Sequence, residues 1–197
     1  MSHLLLTQKL RHQNLAVEQR RYTEKTVTLV NLEDLSSRHA PRLVEAAKES
    51  VAEVSPWMPW CSNNFSHADA LSWIEEQTEA RKRGLAYEFA LIDSEGHYLG
   101  GGGINSIRTD HNFANIGYWI RSSRTCEGLG TLALKASVAW ARRNTKLKRL
   151  EVVVATGNLA SQRVAEKAGA VKESIAESRL YLHGVYHDAT MYVFIDA

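Results

Sequence analysis

The chain has 197 residues, a formal net charge of +2 and 44% hydrophobic residues, a composition typical of soluble globular proteins. This charge is too small for nucleic-acid binding by bulk electrostatics, and the apolar runs are too short for a membrane span. Two cysteines, Cys61 and Cys126, cannot build a disulfide framework, so we expect a protein of the reducing cytoplasm. We predict a single domain over residues 22–197, preceded by a polar N-terminal extension over residues 1–21.

Hydrophobic periodicity predicts the elements of the first half of the chain. In order, they are a strand at Thr26–Leu32, a helix at Asp34–Val54, a helix capped by Ser66, strands at Ala86–Ile92 and His97–Ile107, and a strand at Ala114–Arg121. The run Gly100–Gly103 lies within the second hairpin strand. Glycines inside a strand predict a bulge or a close approach of neighbouring backbone.

The second half begins with a long amphipathic helix after Gly130. It continues with a dense apolar strand at Arg149–Ala155, a short helix at Ala160–Ala168, and strands around Ser178–Leu182 and Thr190–Ile195. No repeat, linker or low-complexity segment interrupts this order. The pattern therefore indicates one mixed α/β domain.

The segment Arg124–Thr131, with the sequence RTCEGLGT, lies between a strand-like run and the long helix. Gly128 and Gly130 permit a tight turn, and the helix that follows would direct several unpaired backbone N–H groups at one point. Because a helix N-terminus carries about half a positive charge, such a turn attracts a phosphate or pyrophosphate. A helix start without any ligand has the same local pattern.

Three kinds of phosphate-binding turn share this glycine pattern. A Walker-type loop requires Lys and then Ser or Thr after its last glycine, whereas Thr131 and Leu132 follow Gly130. A dinucleotide fingerprint could use Ala133 and Glu151, but it follows the first strand of alternating βαβ units, and this turn follows a meander of strands. Coenzyme A is the ligand that remains.

Six segments resemble the GNAT superfamily of N-acetyltransferases, and within it the ribosomal-protein N-terminal acetyltransferases of RimJ/RimL type. They are WMPW at Trp57–Trp60, IGYWI at Ile116–Ile120, EGLG at Glu127–Gly130, RLEV at Arg149–Val152, NLASQRVAEK at Asn158–Lys167 and GVYHD at Gly184–Asp188. The chain departs from the pattern at Thr125, where the superfamily usually has Gln or Arg. The resemblance implies the GNAT fold, an α/β (α+β) architecture with a mixed, mostly antiparallel twisted sheet of about seven strands, flanked by about four helices and splayed at its strands 4 and 5.

The resemblance also implies direct transfer of an acetyl group from acetyl-CoA to a primary amine, without a covalent enzyme intermediate and without a metal. The acceptor that it favours is the N-terminal α-amine of a ribosomal protein. Acetylation of a small-molecule amine (an antibiotic, amino acid, polyamine or aminoacyl nucleotide) and a non-catalytic acyl-CoA-binding domain are the alternatives. A homodimer is compatible with the resemblance.

The resemblance assigns the pyrophosphate to the turn and the pantetheine arm to a gap between the strands at Asn115–Ile120 and Arg149–Ala155. Backbone groups of Trp119 and Ile120 would pair with the arm. The predicted cofactor-binding residues are Trp119, Ile120, Arg124, Cys126, Glu127, Gly128, Leu129, Gly130, Thr131 and Asn158. Cys126 is expected to be a small turn residue and not a nucleophile.

Three side chains are candidates for catalysis. Asn158 matches an asparagine that binds the pantetheine arm, and it would also serve as a helix N-cap. Ser161 matches a position from which the leaving thiolate can be protonated, or it is an ordinary helix serine. Glu88 is the carboxylate best placed to act as a general base through water, or it is a surface glutamate.

The acceptor site is assigned to aromatic residues. Trp57 and Trp60 form a wall of the substrate cleft, or they pack on the core without touching substrate. Tyr186 is a weaker candidate for the catalytic acid and is included among the acceptor-binding residues.

Overall fold

The computed structural model describes residues 15–17 and 30–195, which contain eight strands of one sheet. The strands are β1 (Leu15–Val17), β2 (Val30–Asp34), β3 (Tyr87–Asp93), β4 (Tyr98–Arg108), β5 (Phe113–Ile120), β6 (Arg149–Ala155), β7 (Val171–Leu182) and β8 (Val185–Ile195). Their order in the sheet is β1-β2-β3-β4-β5-β6-β8-β7. Among the described strands, β5 and β6 alone pair in parallel, so the predicted mixed, mostly antiparallel sheet is confirmed.

Helices cover both faces of the sheet. They are α1 (Ala40–Glu49), α2 (Val51–Val54), α3 (His67–Lys82), α4 (Leu129–Asn144) and α5 (Leu159–Ala168). Alternation along β3 separates the two faces, because Ala90 and Ile92 pack with α1 and α3 whereas Phe89 and Leu91 pack with α4. None of the helices within the described residues is long and apolar enough to cross a membrane.

The parallel pairing of β5 with β6 ends after three residue pairs, the last of which is Asn115 with Glu151. Beyond this point β5 stays paired with β4 as far as Ile120, and β6 stays paired with β8 as far as Ala155. The sheet therefore splits between Ile116–Ile120 and Val152–Ala155. We call this gap the cleft, and it is the splay that the family resemblance predicts.

Local signals in the sequence are confirmed at two places. The Ser66 hydroxyl caps α3 by accepting from the Asp69 N–H at 3.2 Å, and the Asp69 carboxylate accepts from the Ser66 N–H at 2.8 Å. In β4, Gly100 pairs with Leu91 and Tyr98 pairs with Ile92, so Leu99 is an extra residue. This bulge directly precedes Gly100, the first residue of the glycine run, and the sequence predicts a bulge there.

Several predicted boundaries differ from those of the structure. The helix expected at Asp34–Val54 begins at Ala40 and is interrupted at Ser50, because the Ser50 hydroxyl donates to the Ala46 carbonyl at 2.6 Å. The last two strands are longer than predicted and form the hairpin of β7 and β8. Residues 26–29 of the predicted first strand and the boundary between residues 21 and 22 lie outside the described residues.

Candidate functional site

The predicted turn runs directly into the N-terminus of α4. Gly128 is the N-cap residue with φ of 81°, a left-handed conformation that glycine adopts without strain, and Cys126 has φ of 62°. Because glycine has no side chain to cap the helix, the first N–H groups of α4 have no capping acceptor from Gly128. Leu129, Gly130 and Thr131 occupy this first turn. Its donors and the helix dipole suit an anion such as a pyrophosphate.

Gly130 sets the distance between α4 and the cleft. A Cβ atom on this residue would lie 3.0 Å from the ring of Tyr118 on β5 and 3.3 Å from Val164 on α5. A side chain here would therefore separate α4 from both elements. Gly130 allows the anion-binding turn to lie directly beside the cleft.

The Arg124 side chain is bound to two carboxylates. Its Nε and Nη2 atoms donate to Glu127 at 3.0 and 3.1 Å, and its Nη1 donates to Asp93 at 3.3 Å. Hydrogen bonding to Glu127 raises the pKa of the Arg124 guanidinium. In this arrangement Arg124 fastens the turn to the end of β3, and its predicted contact with a phosphate stays a prediction.

The segment that leads into the turn is fastened to α1. Arg121 donates to Glu49 and to Glu45, both at 2.6 Å, and the Ser123 N–H donates to Glu49 at 3.0 Å. The hydrogen bond from Arg121 lowers the pKa of Glu49 to about 2. These contacts hold the end of β5 and the start of the turn in one position relative to α1.

The backbone of β5 presents alternate residues to the cleft. The Trp119 carbonyl oxygen faces β4, because a Cβ atom on Gly100 would lie 2.2 Å from it, and the Arg121 N–H donates to the Leu99 carbonyl. Period-two alternation then directs the backbone groups of Tyr118 and Ile120 into the cleft. The Trp119 carbonyl oxygen is turned away from the cleft, and the predicted contact of Trp119 with the cofactor stays a prediction.

A pair of hydroxyl groups connects β5 with α5. Asn158 caps α5 by accepting from the Ser161 N–H at 3.0 Å, and the Ser161 Oγ lies 2.9 Å from the Tyr118 hydroxyl. Burial raises the pKa of Tyr118 to about 12. Like any tyrosine, Tyr118 is protonated at neutral pH, and its hydroxyl can donate to a ligand directly or through Ser161. A ligand contact of Asn158 stays a prediction.

An apolar cavity of about 340 Å³ lies on the other face of β4 and β5, beneath α1 and α3. Its lining includes Leu43, Met58, Trp60, Phe65, Trp73 and Trp119. Glu88 also lines it and is its one charged side chain among the residues that the structure describes. We call this space the apolar cavity.

Glu88 lies over the glycine run of β4. A Cβ atom on Gly103 would lie 1.9 Å from the Glu88 carboxylate, so a larger residue here would force the end of the Glu88 side chain to move. Asn105 donates to Glu88 at 3.2 Å, and Asn115 donates to the Asn105 amide oxygen at 3.0 Å. Burial raises the pKa of Glu88, and the hydrogen bond from Asn105 opposes this shift only in part.

The structure separates the three aromatic residues assigned to the acceptor. Trp60 lines the apolar cavity, whereas the Trp57 ring contacts Gly157, just before Asn158. Tyr186 lies on β8 with 67% of its surface exposed, against Tyr181 and outside the lining of the cavity. The roles of all three in binding stay predictions.

Sequence reasoning missed Tyr118, Trp73 and Asn105. Tyr118 stands within IGYWI, but its partner Ser161 is 43 residues away, so no local pattern connects them. Trp73 has the spacing of an ordinary buried helix residue. Asn105 lies two residues after the glycine run. Its contact with Glu88 depends on the register of β3 with β4, which the sequence does not reveal.

A mixed sheet that splits at the parallel pair of β5 and β6, beside a glycine turn at a helix start, is the arrangement of the GNAT fold. The chain belongs to the family described as the acetyltransferase (GNAT) domain, whose profile matches residues 30–171. Among the described residues, no three His, Cys, Asp or Glu side chains are grouped so as to hold a metal ion.

Relatives and solved structures agree with this family. The Bacillus subtilis protein YdaF, named as a candidate ribosomal N-acetyltransferase, is 25% identical over 179 residues, which cover 87% of this chain and 93% of YdaF. The ribosomal-protein-serine acetyltransferase of Escherichia coli K12 is 23% identical over 173 residues, which cover 88% of this chain and 96% of that protein. The structure of RimL, a ribosomal L7/L12 alpha-N-protein acetyltransferase in complex with coenzyme A, superimposes with a TM-score of 0.77 at 24% identity, covering 84% of this chain and 93% of RimL. At this identity the likeness to RimL shows the fold.

Proposed function

We propose that the protein transfers the acetyl group of acetyl-CoA directly to a primary amine, namely the N-terminal α-amine of a protein. The observation that carries this proposal is the position of Tyr118. Its hydroxyl pairs with Ser161, its ring contacts the first turn of α4, and its backbone faces the cleft. An anion site, a split sheet and a proton donor thus meet at one residue. The named activities of YdaF and RimL support an acceptor from the ribosome, and such an acceptor implies action in the cytoplasm.

The residues present suit acetyl-CoA, which supplies an activated acetyl group. The uncapped N–H groups of α4 would hold its pyrophosphate, and the backbone of Tyr118 and Ile120 would hold its pantetheine arm. Leu129, Gly130 and Thr131 keep the predicted role at this turn through their N–H groups. Asn158, at the start of α5, would reach the same arm from the other side of the cleft.

The chemistry requires two proton movements. As the acceptor nitrogen bonds to the acetyl carbon and the carbon–sulfur bond breaks, the sulfur receives a proton from Tyr118, directly or through Ser161. Glu88 takes the proton that the amine loses. Burial raises the pKa of Glu88 and so brings it closer to the pKa of the amine. An α-amine has a pKa of about 7.7–8.0, so freeing it at neutral pH costs under about 1.4 kcal/mol, and a weak base suffices.

The experiment that tests this proposal combines acetyl-CoA with a panel of amines that includes peptides beginning with Ser or Ala. Release of the CoA thiol is followed together with the mass of the acceptor. The expected result is one acetyl group added to the N-terminal nitrogen. Thiol release without acetylated acceptor, or no binding of acetyl-CoA in calorimetry, would reject the proposal.

We also propose that the protein forms a homodimer through β7, which lies at the edge of the sheet. Val171 and Ile175 are 65% and 56% exposed on this strand, and the unpaired backbone groups of an edge strand are a template for pairing. Light scattering measures the mass in solution, and the mass of a single chain at micromolar concentration would rule the dimer out.

A further inference from the structure

The walls of the apolar cavity are aromatic on several sides. Trp60 meets Trp119 edge to face, with ring centroids 5.5 Å apart and planes at 73°. Trp60 also meets Phe65 at 5.3 Å, and Trp73 lines the cavity from α3. Trp119 is 9% exposed and Trp60 is 40% exposed, so the aromatic surface extends from the interior to the solvent.

The floor of the cavity is made of backbone. Gly101 and Gly117 line it, and a Cβ atom on Gly117 would meet only the Asn105 amide at 3.8 Å. Gly117 therefore leaves free space where another residue would place a side chain, whereas the Trp119 indole lies against Gly101. A dry apolar cavity of about 150 Å³ takes a benzene ring. The 340 Å³ here accommodates a ring together with the chain that carries an amine.

A small side chain on the acceptor would not fill the apolar cavity. The side chain of an N-terminal Ser or Ala would leave the rings of Trp60, Trp73 and Trp119 facing water, and their burial would contribute nothing to binding. An aromatic ring gains from burial and also from edge-to-face contact with these walls.

We propose that the acceptor is a primary amine whose nitrogen lies two to three bonds from an aromatic ring that fills the apolar cavity. This inference rests on the proposed acetyl transfer and names its substrate class. Glu88, the one charged side chain among the described residues of the cavity lining, would receive the ammonium group. Two sources share this chemistry: a protein chain that begins with Phe, Tyr or Trp, and a free arylalkylamine.

The experiment compares matched acceptors at saturating acetyl-CoA. One pair consists of peptides that differ only in Phe or Ser at the first position, and the other pair consists of 2-phenylethylamine and ethylamine. In at least one pair, the aromatic acceptor is expected to have kcat/KM about 10- to 100-fold higher. The pair with the higher absolute kcat/KM identifies the source. Equal values within both pairs, or a preference for the Ser peptide and ethylamine, would overturn the inference.

Gly117→Val tests whether the cavity itself is responsible. Its side chain enters the cavity without a backbone clash, and valine suits a strand. The variant is expected to reduce the preference for the aromatic acceptor about tenfold while binding of acetyl-CoA in calorimetry is retained. Thr109→Val, in the exposed turn between β4 and β5, is the matched control and should keep the wild-type preference. An unchanged preference in a folded Gly117→Val protein would contradict the assignment of the cavity.

Failure of this inference differs from failure of the proposed function. If peptides beginning with Ser or Ala are acetylated and the aromatic acceptors are not, acetyl transfer stands and the substrate class is wrong. If acetyl-CoA does not bind and no amine in either pair is acetylated, both proposals are overturned.

Discussion

The hydroxyl oxygens of Tyr118 and Ser161 lie 2.9 Å apart and connect β5 to the helix that follows β6. The pairing of β5 with β6 ends at Asn115, before Tyr118, so the contact spans the two sides of the cleft. Burial raises the pKa of the Tyr118 hydroxyl, and the Asn158 cap fixes the backbone of Ser161. In the proposed mechanism this pair donates the proton to the leaving thiolate.

Replacing Tyr118 with Phe should lower kcat about 10- to 100-fold, since the thiolate then loses its proton donor. Ser161→Ala should have a smaller effect in the same direction, and the double variant should be no slower than Tyr118→Phe alone. The measurement is steady-state thiol release. Tyr181→Phe, on an exposed tyrosine, is the control and should match the wild type. Additive losses in the double variant would show that the two hydroxyls act separately.

Replacing Glu88 with Gln should lower kcat/KM about tenfold or more and remove the limb of the pH–rate profile that reports its ionisation. It should also stabilise the fold at neutral pH. The native pKa of Glu88 is raised above about 4.3, the ordinary value, so ionisation of Glu88 costs stability as pH rises through this interval.

Thermal unfolding checks this sign. The midpoint of Glu88→Gln should exceed that of the wild type at pH 7, and the difference should vanish below about pH 4, where both states protonate Glu88. An unmoved pH–rate profile would remove Glu88 as the general base, whatever happens to stability.

Gly103→Ala should displace the Glu88 carboxylate, because the new Cβ would lie 1.9 Å from it. We expect kcat to fall about tenfold and the free energy of unfolding to fall by about 1–3 kcal/mol. Gly102→Ala is the matched control, since its Cβ finds its nearest atoms at 3.6 Å, an ordinary contact. Equal activities of the two variants would mean that the position of Glu88 does not matter for turnover.

Arg124→Ala and Glu127→Ala should both weaken acetyl-CoA binding, by about two- to fivefold, because the ion pair holds the turn in shape. Calorimetric titration with acetyl-CoA measures the effect. If Arg124 instead binds a phosphate directly, Glu127→Ala would release its guanidinium and tighten binding. The direction of the Glu127→Ala effect therefore separates the two roles.

Sequence predicts those parts of this protein whose signals are local. The Ser66 cap, the β4 bulge and the left-handed Gly128 each depend on residues within a few positions of one another. The break at Ser50 is harder, because its side chain bonds both to Ala46 and to the distant N–H of Ser122. The hydrophobic periodicity of the residues on either side of Ser50 continues without interruption, so the sequence pattern does not indicate that α1 and α2 are separate helices.

The candidate site shows the same division. The turn at Arg124–Thr131 is continuous in sequence, so its position and helix were predictable. Trp57 and Trp60 were assigned to one wall, yet the loop sends Trp57 towards Gly157 and Trp60 into the cavity. Strand register and loop path decide such contacts, and neither is encoded by the spacing of two residues.

The most direct test of the account is the acetylation reaction itself, with a Phe-first peptide, acetyl-CoA and mass spectrometry of the product. The account predicts one acetyl group on the N-terminal nitrogen, released CoA thiol in equal amount, and a much slower reaction with Tyr118→Phe. Hydrolysis of acetyl-CoA without an acetylated peptide, at a rate that Tyr118→Phe does not change, would contradict it.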